Sequence, residues 1–113
     1  MTNHDDGIAL RQMLDHAKRV RRLLSGYDKS SFERDERSYY AVLHLLVIIG
    51  EAANRVRFES RDRYPAIPWR ALIGMRNRII HGYDVVDVDV IWDTVSNDIP
   101  ELIDQLKTGD PPA

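Results

Sequence analysis

The sequence has no cysteine among its 113 residues, which excludes disulfide bonds and a thiolate nucleophile. Stability must therefore come from packing or from a second subunit. Long hydrophobic runs are also missing. His44 interrupts the longest apolar stretch, which is far shorter than the roughly 20 residues needed to cross a bilayer. The polar, acidic N-terminus lacks the positive start and apolar run of a secretory signal. We expect a soluble, cytoplasmic protein that does not associate with membranes.

A strong net charge is absent as well, but the charges are unevenly distributed. The formal net charge is −2. Residues 55–78 contain seven arginines and only two acids, whereas residues 84–113 contain eight acids and one lysine. The basic segment can form an anion-binding surface, although a solvated helix face paired with the acidic C-terminal segment would have the same composition.

Length and composition predict one domain over residues 1–113, since 43% hydrophobic residues suffice for a single core. A short polar N-terminus precedes this domain, and a frayed tail follows from about residue 108. The sequence has no glycine-rich phosphate loop and no Ser/His/Asp set. His4, His16 and His44 lack the spacing of a metal site, and His44 suits a helix interior better than a ligand role. We expect neither a metal nor another cofactor.

Apolar residues repeat with helical spacing in four segments. The first helix begins near Asp5 or Asp6 and ends at Gly26, and a polar loop with one helical turn around Phe32 follows. The second helix covers about 36–58 and is apolar on all sides at its centre. It is therefore either central to a bundle or in contact with a second subunit.

The third helix starts at Pro68 and stops at Gly82. Proline is favoured at the first position of a helix, and glycine is favoured just after the last one. The alternation in residues 85–90 resembles a strand, but the sequence has no second strand to pair with it. We therefore predict a fourth helix from Asp87, kinked or split at Pro100. The expected fold is all-α, an antiparallel bundle of four principal helices.

Residues 76–83 (RNRIIHGY) combine a permanent cation, an imidazole and a phenol. Arginine presents a planar set of donors that suits phosphate oxygens, and histidine exchanges a proton near neutrality. Together they suit phosphodiester chemistry. On a regular helix, however, Arg76 and His81 point about 140° apart with an axial separation of about 7.5 Å, whereas Asn77 and His81 share a face. Either the helix unwinds near Gly82, or the working site combines residues of two copies.

This octet resembles the signature of HepT-like toxins, a branch of the HEPN superfamily of small helical ribonucleases. Residues 49–55 (IGEAANR), 67–69 (IPW), 90–92 (VIW) and 98–102 (DIPEL) are similar to the same family. The resemblance extends over most of the chain, roughly residues 10–106. It implies a HEPN-like bundle that forms a homodimer, with the motifs of two protomers meeting in one cleft.

The resemblance further implies a metal-independent endoribonuclease toxin of a type VII-like toxin–antitoxin module. Cleavage would be a transesterification by the 2′-hydroxyl of RNA, with His81 transferring protons and Arg76 holding the phosphate. Asn77 and Glu51 would have supporting roles. For Glu51 the residues favour a structural role instead, an ion pair with Arg55 one turn later on the same helix. The expected RNA-binding residues are Arg55, Arg70 and Arg78.

In this family the tyrosine at the position of Tyr83 accepts AMP from a minimal nucleotidyltransferase antitoxin. Two alternatives remain from the residues alone. One is a non-catalytic HEPN-like subunit that binds a nucleotidyltransferase, a nucleotide or both. The other is a structural dimerisation bundle in which residues 76–83 simply end a helix.

Overall fold

The computed structural model describes residues 3–82 and 86–108, and this part of the chain contains helices and no strand. The helices are α1 (His4–Leu23), α2 (Lys29–Arg34), α3 (Glu36–Arg55), α4 (Phe58–Arg61), α5 (Trp69–His81), α6 (Val88–Asp93) and α7 (Ile99–Thr108), with a π-helical segment, Thr94–Asp98, between α6 and α7. The all-α prediction is confirmed. None of the described helices has the length and apolarity needed to cross a membrane.

Short side chains at the helix starts account for where the helices begin. The Asn3 side chain accepts from the Asp5 backbone N–H (2.9 Å) and caps α1, so the predicted cap at Asp5 or Asp6 was placed too late. Asp28 and Ser31 form a reciprocal capping box on α2. Asp87 caps α6 as predicted, accepting from the Asp89 backbone N–H at 2.9 Å.

The helix α3 lies between α1 and α5, and α7 packs on the other side of α1. Val42, Leu46 and Ile49 of α3 are buried in this position. The other apolar residues at the centre of α3 are only partly buried, so the helices of the same chain cover it in part: Leu43, Leu45, Val47 and Ile48. The core side chains come mostly from α1, α3 and α7, with smaller contributions from α2 and α5. His44, however, is exposed, which corrects its predicted interior position.

The predicted interruption at Pro100 is observed as the π-helical segment. Proline has no backbone N–H, so it cannot donate to the carbonyl one turn earlier. The preceding residue, Ile99, donates its backbone N–H to the Thr94 carbonyl, five residues back. The last helix is therefore divided into α6 and α7 without a loop.

The buried carboxylate of Asp6 fixes α4 against the start of α1. Asp6 is 2% exposed and accepts from Ser60 Oγ (2.6 Å) and from the backbone N–H and Nε of Arg57 (both 3.3 Å). Burial raises the pKa of Asp6, but the hydrogen bonds from Ser60 and Arg57 outweigh it and hold the pKa below its usual value. The sequence pattern predicted no separate helix here, because the second helix was expected to end near Phe58 and the next one to begin at Pro68.

Candidate active site at the C-terminal end of helix α5

A close approach of α3 and α5 places the Arg76 side chain. A Cβ atom at Gly50 would lie 2.2 Å from Arg76 Cβ and 2.9 Å from the Leu72 carbonyl oxygen, so only glycine allows this separation of the two helices. The aliphatic part of Arg76 consequently packs on the α3 backbone.

The guanidinium of Arg76 is held by its two neighbours. Nη2 lies 3.5 Å from Glu51 Oε1, and Nη1 donates to Asn77 Oδ1 at 2.9 Å. The Nε atom is buried and makes no hydrogen bond within the described structure. Arg76 is thus oriented by an ion pair and a hydrogen bond, although its side chain remains 29% exposed.

Glu51 therefore pairs with Arg76 instead of the predicted Arg55. Arg55 donates through Nη2 to Gln12 Oε1 on α1. The helical spacing of four residues made a Glu51–Arg55 pair plausible, but the contact with α1 draws the Arg55 guanidinium away.

The exposed His81 is the last residue of α5, and Gly82 ends the helix. The Gly82 backbone N–H donates to the Arg78 carbonyl at 2.7 Å, and a Cβ atom at Gly82 would lie 2.3 Å from the same oxygen. Glycine at this position is therefore a steric requirement of the helix end, as the sequence predicted.

A shallow hollow at this helix end is lined by Asn77, Arg78, His81, Gly82 and Val86. An exposed imidazole, a cation and a side-chain amide thus share one surface that a polyanion can reach. Tyr83, the predicted modification site, lies outside the described residues.

The structure brings only some of the predicted site residues together. Glu51, Arg76 and Asn77 form one contact chain, while Asn77, Arg78 and His81 share the hollow. Arg70 is exposed in an adjoining groove between α4 and α5, which Asn77 also lines. Arg55 binds Gln12 on α1 and lines neither the hollow nor this groove.

The helix α5 stays regular through His81, so it does not unwind between Arg76 and His81. The angular offset of about 140° between the two residues therefore applies. Within the described residues, no group of three or more His, Asp or Glu side chains is placed to hold a metal ion.

Sequence reasoning missed three residues that shape this region: Gly50, Phe58 and Arg61. A glycine inside an apolar helix signals a close backbone approach, which would have identified Gly50. The sequence pattern placed Phe58 at the end of the second helix, whereas it begins α4. Its exposure could not be predicted, because it depends on how Asp6 of α1 holds α4.

The fold and the helix-end site together define an all-α, HEPN-like helical bundle with a histidine and cations at the C-terminal end of α5. A family model described as ribonuclease HepT-like matches residues 13–108. The chain therefore belongs to the HepT-like ribonuclease family.

Named relatives point to the same family. A "Putative RNase" of Methanocaldococcus jannaschii is 31% identical over 107 residues, which are 95% of this chain and 98% of the relative. A "Probable ribonuclease HepT" of Thermococcus cleftensis is 44% identical over 68 residues, 60% of this chain and 62% of the relative. A "Putative RNase" of Caldanaerobacter subterraneus is 36% identical over 84 residues, covering 74% and 75% of the two chains. No solved structure matches the chain.

Proposed function

We propose that this protein is a metal-independent endoribonuclease toxin whose active site is formed by two copies of the chain. The observation that carries the proposal is the exposed hollow at the end of α5, where His81, Asn77 and Arg78 share one surface and Asn77 also binds the guanidinium of Arg76. Membership in the HepT-like ribonuclease family supports RNA as the substrate.

In the proposed reaction the 2′-oxygen of a ribose attacks the adjacent phosphorus. The new bond joins phosphorus to O2′, the bond to O5′ breaks, and the products carry a 2′,3′-cyclic phosphate and a 5′-hydroxyl. His81 accepts the 2′-hydroxyl proton and then donates it to the leaving 5′-oxygen. Arg76 stabilises the charge that develops on the phosphoryl oxygens.

Supporting roles follow from the contacts of Arg76. Asn77 and Glu51 position the guanidinium, since both bind it directly. A guanidinium that turns from Glu51 to a phosphate gives up a half-exposed ion pair, which contributes only about 0–1 kcal/mol. Arg78 and Arg70 bind the RNA backbone, and Arg55 adds a more distant cation.

The regular helix through His81 supports a site shared between two protomers, because Arg76 and His81 of one copy face different directions. A homodimer in which Arg76 of one protomer faces His81 of the other would bring the two groups to one phosphate. The expected biological setting is a toxin–antitoxin module in which a minimal nucleotidyltransferase transfers AMP to Tyr83.

The test is cleavage of a single-stranded RNA by the wild type, Arg76→Ala and His81→Ala in the presence of EDTA. We expect the wild type to produce cyclic phosphate ends, and each variant to be slower by roughly 10²-fold or more. Circular dichroism should show unchanged helix content, because neither side chain belongs to the hydrophobic core.

Mixing the two inactive variants tests the shared site. If Arg76 and His81 act across two copies, a mixed dimer contains one intact site, and activity returns after subunit exchange. If the mixture of the two variants stayed inactive after subunit exchange, the composite site would be contradicted. Equal cleavage by the wild type and both variants would contradict the mechanism. No cleavage by the wild type would instead favour a non-catalytic subunit that binds a nucleotidyltransferase or a nucleotide.

A further inference from the structure

A second hollow adjoins the proposed catalytic one and shares Asn77 with it. This groove has a volume of about 690 Å³, which lies within the range of small-molecule sites. It runs along the outer face of α5 and the adjoining α4. Its side chains include the amides of Asn54 and Asn77, the cations Arg61 and Arg70, and the aromatic rings of Phe58 and Trp69.

The most unusual residue of the groove is Phe58, whose side chain is 74% exposed. The Arg61 guanidinium lies over one face of its ring, with Cζ 4.5 Å from the ring centroid. The high exposure leaves the opposite face open to solvent. Ser60, two residues away, is held by Asp6, so the backbone that carries Phe58 is fixed.

Arg61 is fixed as well, because its donors are used by the end of α3. Nε donates to the Val56 carbonyl (2.9 Å) and Nη2 to the Ala53 carbonyl (3.3 Å). Its Cζ also lies 5.6 Å from the Trp69 ring centroid. Phe58, Arg61 and Trp69 therefore form a preorganised stack whose outer surface is an open aromatic ring.

We propose that this groove binds one nucleotide of a single-stranded RNA, with the base stacked on Phe58 and the backbone near Arg70. The proposal rests on the proposed ribonuclease function and locates the part of the substrate next to the scissile bond. Every base has a π face that stacks on an aromatic ring, and this face is accessible in single strands but not in duplexes.

The charges of the groove favour an anionic occupant. Two arginines, Arg61 and Arg70, lie in the groove with one acid, Asp62. The shared Asn77 makes the groove continuous with the His81 hollow, so one strand can occupy both. Flat apolar surface, side-chain amides and cations in one groove are the combination that nucleotides require.

The test uses a fluorescently labelled 2′-O-methyl oligonucleotide, which binds but cannot be cleaved by transesterification. Its affinity is measured by anisotropy for the wild type, Phe58→Ala, Phe58→Tyr and Tyr40→Ala. Tyr40 is the matched control, because it is an aromatic residue on α3 that is 59% exposed and lies outside the groove. Thermal melting verifies that each variant is folded.

We expect Phe58→Ala to weaken binding by roughly tenfold, the typical loss of one base stack, while Phe58→Tyr and Tyr40→Ala remain close to the wild type. A duplex of the same sequence should bind more weakly and should not respond to Phe58→Ala.

A second variant fills the groove without removing a contact. No atom lies within 4 Å of a Cβ atom built at Gly74, which lines the groove. Gly74→Leu should keep or raise the melting temperature, since leucine favours helix over glycine, and should weaken RNA binding. A purely structural role of the groove would not produce this opposite pair of effects.

Wild-type-like affinity of both Phe58→Ala and Gly74→Leu, or no binding by the wild type, would overturn the proposal. So would a change from dimer to monomer in Phe58→Ala with unchanged RNA affinity, which would assign the groove to a protein contact. Failure of the catalytic proposal is distinguishable. In that case the uncleavable RNA binds in a Phe58-dependent manner, but His81→Ala processes normal RNA as well as the wild type does.

Discussion

Individual charged residues in this protein differ mainly in how well their charges are compensated. Asp6 is buried, but three hydrogen bonds stabilise its charged form. Arg76 is oriented by Glu51 and Asn77, while its buried Nε has no partner in the described structure. Asp98, in the π-helical segment, is the opposite of Asp6. Burial raises the pKa of Asp98, and the neighbouring Asp93 carboxylate adds to the effect.

The raised pKa of Asp98 predicts that the folded state is less stable at neutral pH than at acidic pH. The folded state binds the carboxyl proton of Asp98 more tightly than the unfolded chain does. Protonation of Asp98 therefore stabilises the fold fully below the ordinary pKa of 3.8, and this contribution is lost as pH rises through the folded-state pKa. We expect Asp98→Asn to raise the melting temperature at pH 7 and to have little effect near pH 3.

The matched control for this measurement is Asp15→Asn, because Asp15 is an exposed aspartate on α1. An equal gain from both substitutions would mean that general charge reduction, and not the burial of Asp98, is responsible.

At the scale of helices, the contact between α3 and α5 determines where the site residues lie. Gly50 lets the α3 backbone approach Arg76 and Leu72 directly. The same helix α5 ends at His81, because Gly82 accepts a conformation that a side chain would block. Two glycines thus determine where the site residues lie. Gly50 on α3 sets the position of the Arg76 cation, and Gly82 sets the position of the His81 imidazole at the end of α5.

Two glycine-to-alanine substitutions should have opposite effects on stability. In Gly50→Ala the new methyl group overlaps Arg76 Cβ, so we expect a loss of about 1–3 kcal/mol in the free energy of unfolding and lower ribonuclease activity. In Gly74→Ala the methyl group meets no atom within 4 Å, so we expect a gain of up to about 1 kcal/mol.

Urea unfolding measures both effects, and the activity of Gly50→Ala connects the packing to the site. If Gly50→Ala were as stable and as active as the wild type, the close helix contact would not be what positions Arg76.

For the molecule as a whole, the charges are separated along the chain and partly paired in the fold. Arg57 pairs with Asp6 and Arg76 with Glu51, both outside the acidic C-terminal segment. Lys29 on α2 pairs with Asp89 of that segment. Arg70 and Arg78, both on α5, remain exposed. The protein therefore keeps a basic surface on this helix despite its net charge of −2.

Adding negative charge next to this surface should silence the proposed enzyme. Adenylylation of Tyr83 would place a phosphate two residues from His81, where it competes with RNA for the same cations. After incubation with the proposed nucleotidyltransferase partner and ATP, we expect intact mass spectrometry to show added AMP and the cleavage assay to show lost activity.

Tyr83→Phe is the control for this experiment, since it keeps the ring but removes the acceptor oxygen. If Tyr83→Phe gained the same mass, the acceptor would be another residue.

The periodic spacing of apolar residues was enough to predict the long helices but not the four-residue helix α4, because helical repeats of three and four residues report local geometry only over several turns. The start of α6 at Asp87, the glycine stop of α5 and the interruption at Pro100 are likewise local, since each depends on a backbone donor or a single side chain. The RNRIIH segment was equally visible. The separation of Arg76 and His81 around α5 followed from helix geometry alone.

Only the tertiary structure decided which partners the site residues take. Glu51 binds Arg76 on α5 instead of Arg55 on its own helix. Helical spacing ranks neighbours within one helix and carries no information about contacts with another helix. The exposure of Phe58 follows from the anchoring of α4 by Asp6, and the room for Arg76 follows from Gly50 against α5. These are contacts between distant segments, whose energies depend on the packing of whole helices and so cannot be read from the pattern of any one of them.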